Sequence, residues 1–222
     1  MIVQQEPWPH VVIANYYDQE LFDAMKDELV AWVPLLKDKP EWRKYLAKKK
    51  CTIRDIHTDP ILSKELPATN VCVMSRTLSE EQLSLFPRHR EHKKPLTLST
   101  EVNVILDDHD YPVHSENPRK ILTMVTYIMP DEGRGTCIYD KDKNYVCDIP
   151  WKPNNTLIFA GHSGETWHGY NCIPGTFRIT VNSFLWDRSI NYEGEEHSEG
   201  FVDDRIKNLE IKPIPYPFEI NK

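Results

Sequence analysis

The sequence predicts a mainly β chain with flanking helices, folded as an antiparallel sandwich or barrel. Three observations lead there. From residue 99 onward, strand signals crowd together at 101–106, 120–129, 136–139, 145–149, 156–159, 165–170 and 176–186, with no helical stretch between them. Turn formers punctuate them: the run Asp140 to Asn144, then Pro153, Asn154 and Asn155, then Ala160 and Gly161. Ahead of this β-rich half lies a short strand followed by one strongly periodic helix.

Composition sets the outer limits. With 222 residues, 40% hydrophobic and 27% charged, the chain has the material for one sizeable core. A single domain over 1–222 is expected: N-terminal support in 1–98, the β-rich core in 99–187, and an extension in 188–222. A net charge of −7 argues against coating nucleic acid by bulk charge. No apolar run approaches the roughly 18 residues of a membrane span. The opening MIVQQEPWPH lacks the basic start and apolar stretch of a signal peptide, so a cytoplasmic protein is expected. Five cysteines (Cys51, Cys72, Cys137, Cys147, Cys172) with no CxxC pair favour free thiols in a reducing compartment.

Residues 8–16 read as a strand in which Val11 and Ile13 alternate with Val12 and Ala14. Asp18 is placed to cap a helix from Gln19. Leu21, Phe22, Met25, Leu29, Trp32 and Val33 recur at helical spacing, and Pro34 is expected to end the run. The basic segment 37–50, with Trp42 and Tyr45, reads as a solvated helix face in preference to a nucleic-acid contact. Ser79 to Gln82 form a capping-box pattern for a short helix stopped by Pro87. Residues 88–95 (RHREHKKP) carry His89 and His92 at chelating distance, but the surrounding cations and prolines favour a surface loop, or a lid over a site. Past Trp186 the chain turns polar. Residues 211–220 alternate proline with apolar residues, which suits a strap on the surface or against another subunit of a homo-oligomer.

The chemistry concentrates in 111–127 and 167–186. His114 and Glu116 are spaced to share one face of a strand. His168 lies far downstream, with Arg178 ten residues later. Two histidines and one carboxylate with open positions are the facial triad of non-haem Fe(II) sites. His162 competes with His168, but stands between glycines in a turn, whereas His168 falls in a strand signal. On the last strand Arg178, Thr180 and Asn182 share one face, opposite Ile179 and Val181. A buried polar face needs a partner. A guanidinium fork matches a carboxylate bidentately, so a diacid would supply one. Lys120 reads as an edge or surface lysine, and Tyr127 is equally at home as a core aromatic.

Taken in order, His114-x-Glu116, then Lys120, Thr123 and Tyr127, then Gly135-Thr136, then His168 and Arg178 resemble the 2-oxoglutarate/Fe(II)-dependent dioxygenases. The prolyl-hydroxylase-like branch is most similar, and the motifs span residues 103–186. The opening WPHVVIANYYDQELFDAM also resembles the lead-in of small bacterial and phage members. The resemblance implies a double-stranded β-helix, a cupin-like jelly roll. It implies Fe(II) held by His114, Glu116 and His168, and 2-oxoglutarate anchored by Arg178, with Tyr127, Thr180 and Asn103 as further contacts. Thr123 and Cys137 would line the same pocket, dioxygen would take the remaining metal position, and no catalytic side chain beyond the ligands is expected. The implied activity is hydroxylation of a small-molecule or peptidyl substrate, unspecified by the sequence, with 2-oxoglutarate becoming succinate. Glu116 departs from the commoner His-x-Asp pattern. One methylene longer, it must fold back, or the strand must shift. Two other possibilities are a jelly-roll binding module with a structural metal or none, and a cupin-type enzyme without cosubstrate. A purely structural site needs no diacid anchor such as Arg178, and the cupin His-x-His is absent.

Overall fold

The structure is a computed structural model, and its description covers residues 1–38, 46–47, 50–54, 62–75, 83, 85–86, 96–105, 110–162, 164–173, 177–187 and 189–190. The elements in order are β1 (Ile2–Gln4), β2 (His10–Ile13), α1 (Gln19–Asp38), β3 (Leu46–Ala47), β4 (Lys50–Arg54), α2 (Leu62–Glu65) and α3 (Pro67–Ser75). There follow β5 (Thr97–Ile105), β6 (Tyr111–His114), β7 (Lys120–Met129), β8 (Cys137–Tyr139), β9 (Tyr145–Asp148), β10 (Thr156–Phe159), β11 (His168–Tyr170) and β12 (Arg178–Trp186).

The strands form two antiparallel sheets, a larger one ordered β1-β2-β10-β7-β12-β5-β4-β3 and a smaller one ordered β6-β11-β8-β9. From β5 to β12 the chain crosses between them in a fixed rhythm. β5, β7, β10 and β12 lie in the larger sheet; β6, the β8–β9 hairpin and β11 lie in the smaller. This is the double-stranded β-helix, with helices flanking it. β7 and β12 are rich in β-branched residues, as strands packed on both faces should be. They pair with each other, and β12 pairs with β5 from Arg178↔Ile105 to Trp186↔Thr97.

The larger sheet buries both faces. On one, Phe22, Met25, Leu29, Trp32 and Val33 of α1 pack with Val102, Val104, Leu122, Ile179 and Val181. On the other, Trp8, Val12, Val125, Tyr127, Ile138, Leu157 and Phe159 form a second cluster with the smaller sheet. β2 shows the strand alternation directly, sending Val11 and Ile13 to the first cluster and Val12 to the second. Met25 and Leu29 are fully buried. Each contributes about 1.5–3 kcal/mol by leaving water.

Asp18 caps α1 as expected, its Oδ1 accepting from the backbone N–H of Glu20 at 3.0 Å and of Leu21 at 3.3 Å. Pro34 does not end the helix, which continues to Asp38. Proline removes only its own N–H, the donor to Val30, and the residues after it keep theirs. The sequence also hid α2 and α3. Glu28 of α1 caps the latter, accepting from Ala68 N–H at 3.0 Å, Thr69 N–H at 2.7 Å and the Thr69 hydroxyl at 2.6 Å.

The described residues of the basic segment 37–50 do not form one helix face. α1 takes its first residues, and Leu46–Ala47 and Lys50 onward are strand, with β4 extending the sheet beyond β5. Backbone pairing to an open edge overrides a charge pattern that only suggests solvation. Several strands are shorter than expected: the one at 8–16 shrinks to His10–Ile13, and the one at 165–170 begins only at His168. The Ser79–Gln82 box, the 88–95 loop and the 211–220 strap lie outside the described residues. None of the described helices is long and apolar enough to cross a membrane.

Candidate metal centre

β6 and β11 bring the two histidines together, His168 pairing with His114 in register. Their ring centroids are 4.3 Å apart. Each ring is pinned in the same way, by the carbonyl two residues before it. His114 Nδ1 lies 2.9 Å from the Pro112 oxygen, and His168 Nδ1 lies 2.8 Å from the Thr166 oxygen. A carbonyl only accepts, so Nδ1 carries the proton in each ring and Nε2 keeps a lone pair. This is the arrangement that orients imidazoles towards a metal.

Glu116 completes the group, though not by strand alternation. β6 ends at His114, and Glu116 lies just past it in irregular chain. The ligand atoms of His114, Glu116 and His168 nevertheless all fall within 4.8 Å of one another, and His168 Nε2 is 3.7 Å from Glu116 Oε1. Gly161 makes room for the longer side chain. A Cβ there would stand 2.9 Å from Glu116 Cβ and 2.7 Å from the Lys120 carbonyl oxygen. In the sequence Gly161 reads only as a turn residue.

Lys120 is not a surface lysine. Its Nζ donates to Glu116 Oε2 at 2.7 Å, and its ammonium lies 4.0 Å from the Phe184 ring centre and 5.4 Å from that of Trp186. A buried carboxylate needs a countercharge, and β12 supplies the aromatic seat that holds it. Thr123 donates its hydroxyl to Glu116 Oε1 at 2.9 Å. The four-residue spacing of Glu116 and Lys120 was the available sequence signal.

These surroundings set the charges. Burial, reinforced by His168, lowers the His114 pKa to about 3 against the opposing pull of Glu116. Burial likewise lowers that of His168, again opposed by Glu116. Burial alone would raise Glu116, but the Lys120 ammonium, followed by the two imidazoles, brings it down to about 2. At neutral pH the group is therefore two neutral imidazoles and one carboxylate, the protonation state that metal binding requires.

Arg178 occupies the same interior. It is 6% exposed, and its Cζ lies 4.1 Å from the Tyr170 ring centre, 5.3 Å from Trp151 and 5.7 Å from Tyr127. Among the described residues it makes one long hydrogen bond, Nη2 donating to Thr136 Oγ1 at 3.4 Å, and its buried Nε has no partner. Burial lowers its pKa, and its charge in turn lowers that of His168. Trp151 and Tyr170, which frame it, were missed in the sequence, where Tyr170 only ends a strand signal and Trp151 falls between two of them.

The other expected contacts cluster around it. Tyr127 donates its hydroxyl proton to Thr136 Oγ1 at 3.0 Å and accepts the Thr136 N–H at 3.3 Å, so its proton is committed. Its ring stacks on Trp151, centroids 4.6 Å apart. Thr180 and Asn103 are buried, and Thr180 stands in register with both Asn103 and Tyr127. Cys137 is buried with its Sγ 3.8 Å from Asn171 Oδ1. His162 is exposed and stands apart from the cluster.

No family model and no curated protein matches the chain. Solved structures do. A prolyl hydroxylase from Trichoplax adhaerens, in complex with a hypoxia inducible factor oxygen degradation domain peptide, matches at TM-score 0.55 and 14% identity, over 80% of this chain and 83% of that one. AviO1 from Streptomyces viridochromogenes Tue57 matches at 0.54 and 9%, over 82% and 91%. A prolyl 4-hydroxylase from Phytophthora capsici matches at 0.54 and 16%, over 83% and 60%. The likeness is one of fold: this chain shares the double-stranded β-helix of these structures.

Proposed function

We propose that the protein is an Fe(II)- and 2-oxoglutarate-dependent oxygenase that hydroxylates its substrate. The donor set fits the metal: two imidazole nitrogens and a carboxylate oxygen converging with open positions beyond them. The observation that carries the proposal is Arg178, a buried cation whose Nε lacks a partner among the described residues, in the same interior as the triad. An unpaired buried charge costs several kcal/mol. The distal carboxylate of 2-oxoglutarate would relieve it through a guanidinium fork.

Fe(II) with 2-oxoglutarate and dioxygen would supply the oxidising chemistry, placing one oxygen atom in a substrate C–H bond and the other in succinate as CO2 leaves. The chain's own residues bind, orient and exclude. His114 and His168 present Nε2 because backbone carbonyls hold their Nδ1 protons. Phe159, with its ring centre 4.9 Å from that of His168, keeps water from one side of the imidazole. Arg178 fixes the far end of the diacid, and Thr180 and Asn103 extend the same polar strip. Tyr127 acts through Thr136, holding the hydroxyl that also meets Arg178.

Two of the three fold neighbours described above are prolyl hydroxylases. A prolyl peptide is therefore the first substrate to assay, followed by free amino acids. The test is incubation with Fe(II) and 2-oxoglutarate without oxygen, then admission of air and measurement of succinate. Wild-type protein should form succinate and Arg178→Ala should not. Equal yields from the two, or none from wild type with any substrate, would remove this reading.

A further inference from the structure

We propose that Lys120 is a positioning residue that reserves one oxygen of Glu116 for itself and so limits the glutamate to a single bond to the metal. The proposal rests on the metal-centre assignment above and extends it to a residue that touches no reacting atom.

The geometry divides the carboxylate in two. Oε1 faces His168 Nε2 at 3.7 Å and takes the Thr123 hydroxyl at 2.9 Å. Oε2 is occupied by Lys120 Nζ at 2.7 Å. Lys120 is not free to swing away. Its ammonium sits 4.0 Å from the Phe184 ring centre and 5.4 Å from that of Trp186, and its side chain is 18% exposed. Trp186 stands in register with Lys120, and Phe184 with Thr123, so β12 fixes both groups that grip the carboxylate. The same strand carries Arg178 at its other end.

The division matters because glutamate has reach to spare. Its extra methylene gives the carboxylate the length to turn both oxygens towards an ion, as glutamates do in bidentate sites. A two-oxygen grip would fill a coordination position that a facial triad leaves open. Lys120 prevents this by holding Oε2 in a charge-assisted hydrogen bond. Being a cation near a cation, it also weakens metal binding by repulsion. That sign separates this role from a merely structural one, in which loss of the lysine would loosen the site and weaken the metal.

The experiment uses the whole protein loaded with Mn(II). It measures the dissociation constant and the relaxation of water protons, which reports how many waters the ion holds. In Lys120→Met the relaxation enhancement should fall by about a third, as three open positions on an octahedral ion become two. Mn(II) should bind as tightly as in wild type or several-fold more tightly, and 2-oxoglutarate should bind Mn(II)-protein about tenfold less tightly. Lys120→Arg should restore the wild-type relaxation. Phe184→Leu, which removes one wall of the ammonium's seat, should shift the relaxation in the same direction by less, and it carries the test should Lys120→Met fail to fold. Unchanged relaxation in these variants, or weaker Mn(II) binding with the water count intact, overturns the proposal. Wild-type protein that binds no Mn(II) overturns the metal assignment itself.

Discussion

Arg178 lies 4.1 Å from the centre of the Tyr170 ring, and its buried Nε finds no partner among the described residues. Two opposite effects follow from removing it. Truncating a buried, hydrogen-bonded charge partner costs about 2–4 kcal/mol of binding, so Arg178→Ala should weaken 2-oxoglutarate binding roughly thirty- to several-hundred-fold in calorimetry. Without ligand, the guanidinium has, among the described residues, one long hydrogen bond and three aromatic rings to offset its burial, and exchanging it for an apolar side chain should stabilise the fold. Arg178→Leu should therefore raise the urea midpoint of ligand-free protein. A lower midpoint would mean that the cation is satisfied from within.

Under the proposed function His114 would ligate the ion directly. His114→Ala should abolish iron retention after gel filtration while leaving the helical and sheet signals of the circular dichroism spectrum in place. Full iron stoichiometry in that variant would move the centre elsewhere.

Gly161 is tested by the smallest possible addition. A methyl group there would press on Glu116 Cβ at 2.9 Å and the Lys120 carbonyl at 2.7 Å. Overpacking of this kind costs about 1–3 kcal/mol. Gly161→Ala should lower stability by that amount and weaken Mn(II) binding about tenfold, because Glu116 is displaced. Metal affinity equal to wild type would show that the carboxylate does not depend on this gap.

Acid should destabilise the metal-free protein early. His114 takes up its proton near pH 3 when folded, against an ordinary 6.5, and His168 is displaced in the same direction. The unfolded chain therefore binds protons first, and stability falls as the pH drops below about 6.5, by up to about 1.4 kcal/mol per pH unit for each histidine. Glu116, held at about 2 against 4.5, adds the same sign lower down. Urea midpoints in chelator should decline from about pH 7 to about pH 4.5, and His114→Gln should flatten the slope. A midpoint constant over that range would contradict the buried, neutral imidazoles.

Much of the fold was legible because its signals are local. The alternation of Val11, Val12 and Ile13 describes a strand buried on both faces, and Asp18 announces the helix that covers the larger sheet. The histidines and Glu116 could be picked out by residue type and order, but the geometry that joins them could not. Strand alternation was the wrong reason for Glu116, which lies beyond β6 and reaches the centre through the gap at Gly161. Lys120 was misjudged because its seat, Phe184 and Trp186, belongs to a strand more than sixty residues away. Trp151 and Tyr170 around Arg178 were missed because no local pattern in the sequence ties them to it, and only the packed sheets do. Pro34 misled because its local effect, a missing N–H, is small beside the burial of the helix it sits in.

The direct opposition of His114 and His168 across β6 and β11 links assembly to chemistry. Successive side chains in a strand point to opposite faces, so a slip of one residue would turn one imidazole outward. An ion seated between them would act as a clasp that closes only on correctly aligned strands. Chains that align the smaller sheet wrongly would lose the clasp along with the proposed reaction, and a metal would thereby proofread the fold that holds it.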